Sequence, residues 1–124
     1  MKALLPLTLV ATVLASSAFA DCQVPKNEVK IPDGTKATKE EMLATQRSIK
    51  DADAAIKIYT DCLKTEQDAK IAAGGEQMKE EAKVKINADY ANRQNAAVEK
   101  LQKVADKFNV ELRAYKAKMV PPAQ

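Results

Sequence analysis

The sequence predicts an all-α protein: a long antiparallel helical hairpin with an extended N-terminal arm pinned by a disulfide. Two apolar stripes at helical spacing are separated by the adjacent glycines Gly74 and Gly75, which break a helix. The composition is rich in Ala, Lys, Glu and Gln, which favour helix. No segment alternates apolar and polar residues with β-branched enrichment, so we expect no sheet.

Residues 1–20 have the features of a cleavable signal peptide. Lys2 gives a basic start, an apolar run of about 13 residues follows, and residues 18–20 form an A-x-A cleavage pattern. A retained anchor is the alternative, but a spanning helix needs about 20 apolar residues. Asp21 before Cys22 argues against lipoprotein processing. We therefore expect a periplasmic chain beginning at Asp21, with secretion beyond the outer membrane left open.

The charges of the chain are balanced and interleaved. It has 20 Lys+Arg against 17 Asp+Glu, a formal net charge of +3. Interleaved signs are typical of a solvated helical surface, whereas nucleic-acid or membrane footprints cluster their basic residues. We expect no nucleic-acid partner and no membrane span, because no later segment is apolar enough to cross a bilayer.

Cys22 and Cys62 are the 2 cysteines of the chain. In an exported protein an even number favours a disulfide, and two separate thiols or a bridge between chains are the alternatives. Redox catalysis normally uses C-x-x-C spacing, and these cysteines lie far apart. A zinc site is disfavoured because the chain has 0 His to complete a ligand set.

Residues 21–37 predict an extended arm, because Pro25 and Pro32 disfavour helix at the residues before them. Ile31-Pro32-Asp33-Gly34 predicts a turn, with Pro at the second position and Gly able to adopt positive φ. An arm of about 16 residues can span about 50 Å, and Cys62 lies roughly 36 Å along the first helix. The arm can therefore run back to Cys62. The residues expected to cover the apolar stripe are Val24, Val29 and Ile31.

The hairpin is predicted over residues 38–119, with a first helix from about Thr38 to about Ala73. Thr38 and Glu41 match a capping box. The apolar stripe has intervals of seven residues, as in a coiled coil, and Thr45 interrupts its intermediate positions. The stripe consists of Met42, Ile49, Ile56 and Leu63, with Ala52 and Tyr59 between them.

After a turn at Gly74-Gly75, a second helix is predicted from about Glu76 to about Lys118. Ile86 and Tyr90 continue its apolar stripe at less regular spacing. The polar segment from Asn87 to Asn95 offers few side chains to bury, which predicts a bend or a frayed stretch there. Prolines end the helix, and residues 120–124 are predicted to be a disordered tail. The strongest stripe contains Val98, Leu101, Ala105, Phe108, Leu112, Tyr115 and Met119.

The sequence predicts no catalytic, cofactor-binding or metal site, so we expect a protein that is not an enzyme. The lack of histidine excludes Ser–His and Cys–His catalysis, and the paired glycines lack the rest of a P-loop. Carboxylate pairs lie among lysines on helices, where no pocket is expected to shift a pKa. Calcium ligands normally come from a tight loop. The candidates weighed were Asp51 with Asp53, Glu80 with Glu81, and the calcium set Asp51, Asp53 and Asp61.

Several short motifs together resemble a group of small, mainly helical exported proteins of Gram-negative bacteria. The motifs are Cys22 with Pro25, Ile31-Pro32-Asp33-Gly34, Glu41-Met42, Tyr59 with Cys62-Leu63, and Phe108-Asn109 with Leu112-Arg113-Ala114-Tyr115-Lys116. The group is largely uncharacterised. The resemblance therefore implies a compartment and an architecture, and it carries over no catalytic residue.

We expect a non-catalytic periplasmic protein that acts through protein–protein interaction or self-association. Core packing is the competing interpretation of the distal stripe, but an amphipathic helix can also offer such a stripe to a partner. A thin core favours homo-oligomerisation, with another envelope protein as the alternative partner. Other candidate functions are a holdase-like envelope chaperone, an accessory subunit of an envelope enzyme, and envelope-polymer binding through lysines. The candidate partner-binding face is Val98, Leu101, Phe108, Leu112, Tyr115 and Met119.

Overall fold

A computed structural model describes residues 21–26 and 28–122 of the chain. In that part of the chain the secondary structure is α-helical, without strands, and two helices pack against each other as a hairpin. Helix α1 spans Lys39–Gly74 and helix α2 spans Glu80–Met119. A Cys22–Cys62 disulfide joins the extended arm to α1. The predicted fold class is confirmed, whereas the predicted signal peptide, residues 1–20, lies outside the described residues, as do the last residues of the predicted tail, 123–124.

Helix α1 begins with the predicted capping box. Thr38 Oγ1 accepts a 3.1 Å hydrogen bond from Glu41 N, and Glu41 Oε2 accepts one of 2.8 Å from Thr38 N. These two bonds satisfy amides that have no partner within the helix. Thr45, which interrupts the predicted stripe, is nevertheless buried, because its hydroxyl donates to Glu41 O at 2.8 Å.

The connection between the helices is longer than the glycine pair. Gly75 has φ 60° and caps α1 by donating from its amide to Ala72 O at 3.1 Å, while α2 begins only at Glu80. The Met78 side chain folds back over Gly74, where a Cβ atom would lie 1.9 Å from Met78 Cε. Gly75 therefore adopts a positive φ, and Gly74, which has no side chain, leaves room for the Met78 side chain.

Helix α2 is continuous through residues 87–95, so the interruption predicted there is absent. Tyr90 lies in the middle of this polar segment and is 1 % exposed. Gln67 Nε2 also donates to Asn87 Oδ1 at 2.7 Å, which joins the two helices at their surface. Burial of the Tyr90 ring removes a large apolar area from water at this point of the helix.

The arm lies over the seam between the two helices and contacts both. At its start, Cys22 joins a buried cluster with Tyr59, Leu63, Tyr90 and Ala97. Farther along, Pro25 and Val29 lie beside Ala52 and Ile56 of α1 and Leu101 and Val104 of α2. At its end, Ile31 and Ala37 pack with Met42 and Phe108. Val24 departs from expectation, because it is 58 % exposed and covers no stripe.

The turn at the end of the arm begins two positions later than the sequence predicts, at Asp33 instead of Ile31. Asp33 O accepts hydrogen bonds from Lys36 N at 3.0 Å and Ala37 N at 2.8 Å, and Asp33 Oδ1 accepts from Thr35 N at 2.9 Å. Among the described residues, Gly75 is the one glycine with positive φ, so the positive φ predicted for Gly34 is wrong. Gly34 instead allows a close approach, because a Cβ there would lie 1.8 Å from Glu111 O.

Candidate functional site

Apolar side chains from both helices line a groove between the start of α1 and the end of α2, here called the terminal groove. Leu43 is 41 % exposed and Met119 is 63 % exposed at its edges, and the floor is more deeply buried. Lys39 and Gln46 provide a polar rim. The apolar lining is Met42, Leu43, Phe108, Leu112, Tyr115 and Met119.

A second groove, here called the mid-helix groove, lies farther along the same seam. Ile49 of α1 faces Val98, Leu101 and Ala105 of α2 across it. Val98 is 52 % exposed. The rim is polar and carries both charges, being formed by Lys50, Asp53 and Gln102.

The predicted partner-binding face is divided between these two grooves. Val98 and Leu101 line the mid-helix groove, and the other four residues line the terminal groove. Phe108 is also a core residue, 7 % exposed, and Leu112 and Tyr115 pack against its cluster. The face therefore has a buried base and an exposed margin, so the same stripe both packs the hairpin and reaches its surface.

The arm explains which side of the seam is open. Pro25 and Val29 cover the seam between Ala52 of α1 and Val104 of α2. No described residue of the arm lines the terminal groove or the mid-helix groove. The hairpin thus has one side closed by the arm and another on which apolar side chains of both helices remain accessible.

A cluster of polar and aromatic side chains lies near the disulfide. The Tyr90 ring has Lys70 Nζ 5.2 Å and Arg93 Cζ 5.1 Å from its centre, an arrangement that gives cation–π attraction. Glu66 Oε1 pairs with Lys70 Nζ at 3.4 Å, and the Glu66 side chain is 8 % exposed. This arrangement surrounds one buried carboxylate with two cations and a tyrosine.

The electrostatics of Glu66 are set by its neighbours. The Tyr90 hydroxyl lowers the pKa of Glu66, and Lys70 adds to that effect, while burial opposes it. Glu66 Oε2 and Tyr90 Oη are both buried without a hydrogen-bond partner of normal geometry. The Tyr90 hydroxyl therefore acts on Glu66 as a nearby dipole, and the carboxylate stays charged with one of its oxygens left unsatisfied.

Sequence reasoning missed Glu66 because it treated carboxylates on helices as exposed. The available signal was the heptad spacing: Thr45, Ala52, Tyr59 and Glu66 follow one another at intervals of seven residues, and all four are buried. A charged residue at a heptad core position is a candidate for a buried ion pair.

The other candidate sites remain scattered along the helices. Asp53 pairs with Lys57 at 2.9 Å, and Glu81 pairs with Lys85 at 3.3 Å. In the described part of the chain, no group of three or more His, Cys, Asp or Glu side chains is arranged to hold a metal ion. Neither described helix combines the length and apolarity needed to cross a membrane.

No protein-family model, curated protein or solved structure matches this chain.

Proposed function

We propose that this chain is a non-catalytic periplasmic protein that acts by protein–protein contact, and that a second copy of the chain binds across the terminal and mid-helix grooves. The observation that carries the proposal is the pair of apolar grooves that the arm leaves uncovered. Apolar grooves with exposed edges and polar rims are surfaces on which a partner can bury apolar side chains.

The rim of the mid-helix groove favours a second copy over an unlike partner. Lys50 and Asp53 lie about one helical turn apart, so a two-fold axis that crosses α1 between them would place each lysine opposite an aspartate of the other copy. Two hairpins joined in this way form a four-helix bundle with coiled-coil-like packing and both arms outside.

A small core gives the chain a thermodynamic reason to associate. Among large side chains in the described part of the chain, Leu63 and Tyr90 alone are less than 2 % exposed. Small domains with thin cores gain stability from disulfides or from oligomerisation. The disulfide closes one side of the seam through the arm, and a second copy would close the other.

The periplasmic location rests on the signal peptide predicted at residues 1–20 and on the Cys22–Cys62 bridge. Disulfides persist in oxidising compartments such as the periplasm, whereas the cytosol keeps thiols reduced. Expression of the full chain with a C-terminal tag, followed by cell fractionation and N-terminal sequencing, tests the location. A mature N-terminus at Asp21 is expected.

Analytical ultracentrifugation of the mature chain tests self-association. The wild type should form dimers with a Kd in the micromolar range or tighter, as expected for a specific interface. The double variant Leu43→Glu, Met119→Glu places charge on both edges of the terminal groove and should be monomeric.

A matched control keeps the same change of charge but places it elsewhere. Ile58 is 72 % exposed and Val84 is 58 % exposed, and neither lines the grooves. The double variant Ile58→Glu, Val84→Glu should therefore remain dimeric. A wild type that stays monomeric at all concentrations, or equal loss of dimer in both variants, would contradict the proposal.

A holdase-like chaperone is the second candidate, and a different observation favours it. Large apolar side chains also stand exposed outside the grooves, including Val24, Ile58, Val84 and Val110. An unfolded client exposes apolar segments, which these side chains would contact. A holdase should suppress aggregation of a reduced, unfolding client and lose that effect in Ile58→Glu, Val84→Glu, the variant expected to keep the dimer.

A further inference from the structure

The arm and α2 form a third groove, here called the arm groove, on the closed side of the seam. Three lysines line it: Lys30 comes from the arm, and Lys103 and Lys107 come from α2. Its apolar lining is Val29, Ile31 and Val104. The adjoining surface adds Lys26 and Lys100. Charges that alternate along the sequence are thus sorted by the fold into a basic patch.

Few carboxylates balance this patch. Glu99 pairs with Lys103 at 2.7 Å, and Glu28 lies beside Lys26 and Lys100 in the adjoining surface. Within the described part of the chain, Lys30 and Lys107 lie more than 4.0 Å from any carboxylate oxygen, since neither forms a salt bridge by that distance. The arm groove therefore carries positive charge that the protein itself does not neutralise.

We propose that the arm groove binds a ligand carrying several closely spaced phosphate groups. Lysine ammonium groups bind phosphate as point charges. Lys103 and Lys107 are one helical turn apart, about 6 Å along the axis, so they can engage neighbouring phosphates together.

The two fixed ends of the arm indicate that the backbone of the arm groove is in place before a ligand binds. The disulfide at Cys22 and the turn after Asp33 fix the two ends of the arm, so the backbone at Lys30 is held opposite α2. A preorganised site loses less entropy on binding than one assembled by the ligand. This site lies on the closed side of the hairpin, so it is independent of the proposed dimer contact.

Isothermal titration calorimetry of the mature protein with inorganic tripolyphosphate tests the site. The triple variant Lys30→Gln, Lys103→Gln, Lys107→Gln should bind at least about tenfold more weakly and show a smaller salt dependence, because fewer counterions are exchanged. The control Lys64→Gln, Lys79→Gln, Lys85→Gln removes the same charge from exposed positions that line none of the grooves, and it should bind like the wild type. Circular dichroism confirms that both variants fold.

Vesicles separate the two sources of phosphate. Co-sedimentation with vesicles of anionic phosphatidylglycerol, compared with neutral phosphatidylcholine, tests a lipid headgroup, and tripolyphosphate tests a soluble ligand. If the arm-groove variant loses binding to one of these probes and the control does not, the site is supported, and that probe identifies the source of the phosphate. The proposal is overturned if the wild type binds neither probe, or if both variants lose affinity equally.

Discussion

The backbone amide of Gly34 donates a 2.7 Å hydrogen bond to Glu111 Oε2, joining the end of the arm to a residue 77 positions away on α2. The contact is tight, because a Cβ atom on Gly34 would lie 1.8 Å from the Glu111 carbonyl oxygen. Lys118 Nζ also donates to Ala37 O in the same region. Two side chains of α2, Glu111 and Lys118, therefore hold the end of the arm by hydrogen bonds to its backbone.

Gly34→Ala should destabilise the protein by about 1–3 kcal/mol, because the clash is with backbone and cannot be relieved by a rotamer change. Urea denaturation measures the loss. Glu111→Gln keeps an oxygen that can accept from Gly34 N and should unfold like the wild type. Glu111→Ala should lose about 1–2 kcal/mol, the cost of an unpaired amide. Wild-type stability in Gly34→Ala would show that the arm does not approach α2 this closely.

The sequence predicted the hairpin because its strongest signals are local. The capping box at Thr38 and Glu41 and the break at Gly74-Gly75 each depend on a few adjacent residues. The role of Gly34 could not be predicted, because the atom that requires a glycine belongs to Glu111, on the other helix. The deep burial of Tyr90 could not be predicted either, because it depends on the α1 side chains that lie opposite it, Tyr59 and Leu63.

Removing the disulfide should cost about 4 kcal/mol, because the bridge closes a loop between residues separated by 40 positions. Cys22→Ser, Cys62→Ser tests this by urea denaturation. The arm holds the Cys22 cluster and part of the seam, so the variant should also expose apolar surface to a dye such as ANS. Reductant should destabilise the wild type to the same level and leave the double variant unchanged. If reductant has no effect on the wild type, the bridge contributes nothing to stability.

Acid should destabilise the protein partly through Glu66. Its folded pKa is held below the ordinary value of 4.5, first by the Tyr90 hydroxyl and then by Lys70. The unfolded state therefore binds more protons, so this stabilisation is complete above about pH 4.5 and is lost as the pH falls below it. Glu66→Gln should flatten the slope of unfolding free energy against pH between pH 5 and pH 3, as followed by urea denaturation at each pH.

The matched control for that experiment is a carboxylate with the same direction of shift in another place. The Thr35 hydroxyl and amide lower the pKa of Asp33, with Lys36 adding to the effect. Asp33→Asn should therefore remove a separate part of the acid slope, and the two variants should act additively because they lie in different parts of the fold. A pH slope unchanged in Glu66→Gln would show that its carboxylate is not held in the charged form.

The candidate site was only partly predictable. The stripe from Val98 to Met119 was identified by its spacing, but the division into a buried base and an exposed edge depends on how the arm covers the seam. The basic patch of the arm groove could not be predicted, because Lys30 lies more than seventy positions from Lys103 and Lys107. Positive and negative residues alternate along the sequence, but the charge of a surface depends on which side of its helix each residue occupies.

The ring of Tyr90 should contribute more to the free energy of unfolding than its hydroxyl does. Tyr90 is 1 % exposed, Lys70 and Arg93 lie within 5.2 Å of its ring centre, and its hydroxyl lacks a hydrogen-bond partner. Tyr90→Phe keeps the packing and both cation–π contacts and should change the free energy of unfolding by less than about 1 kcal/mol. Tyr90→Ala leaves a cavity and should cost about 3–5 kcal/mol.

Tyr90→Leu separates packing from charge, because it fills much of the volume and removes both cation–π contacts. It should be about 1–2 kcal/mol less stable than Tyr90→Phe at neutral pH, and the difference should persist in salt, because the pairs are partly desolvated. Equal stability of the Phe and Leu variants would show that Lys70 and Arg93 are positioned by Glu66 and the solvent rather than by the ring. Tyr90→Phe should also raise the pKa of Glu66, because the hydroxyl that lowers it is gone. The slope of its unfolding free energy against pH should therefore be flatter between pH 5 and pH 3 than that of the wild type, because the folded and unfolded pKa values of Glu66 lie closer together.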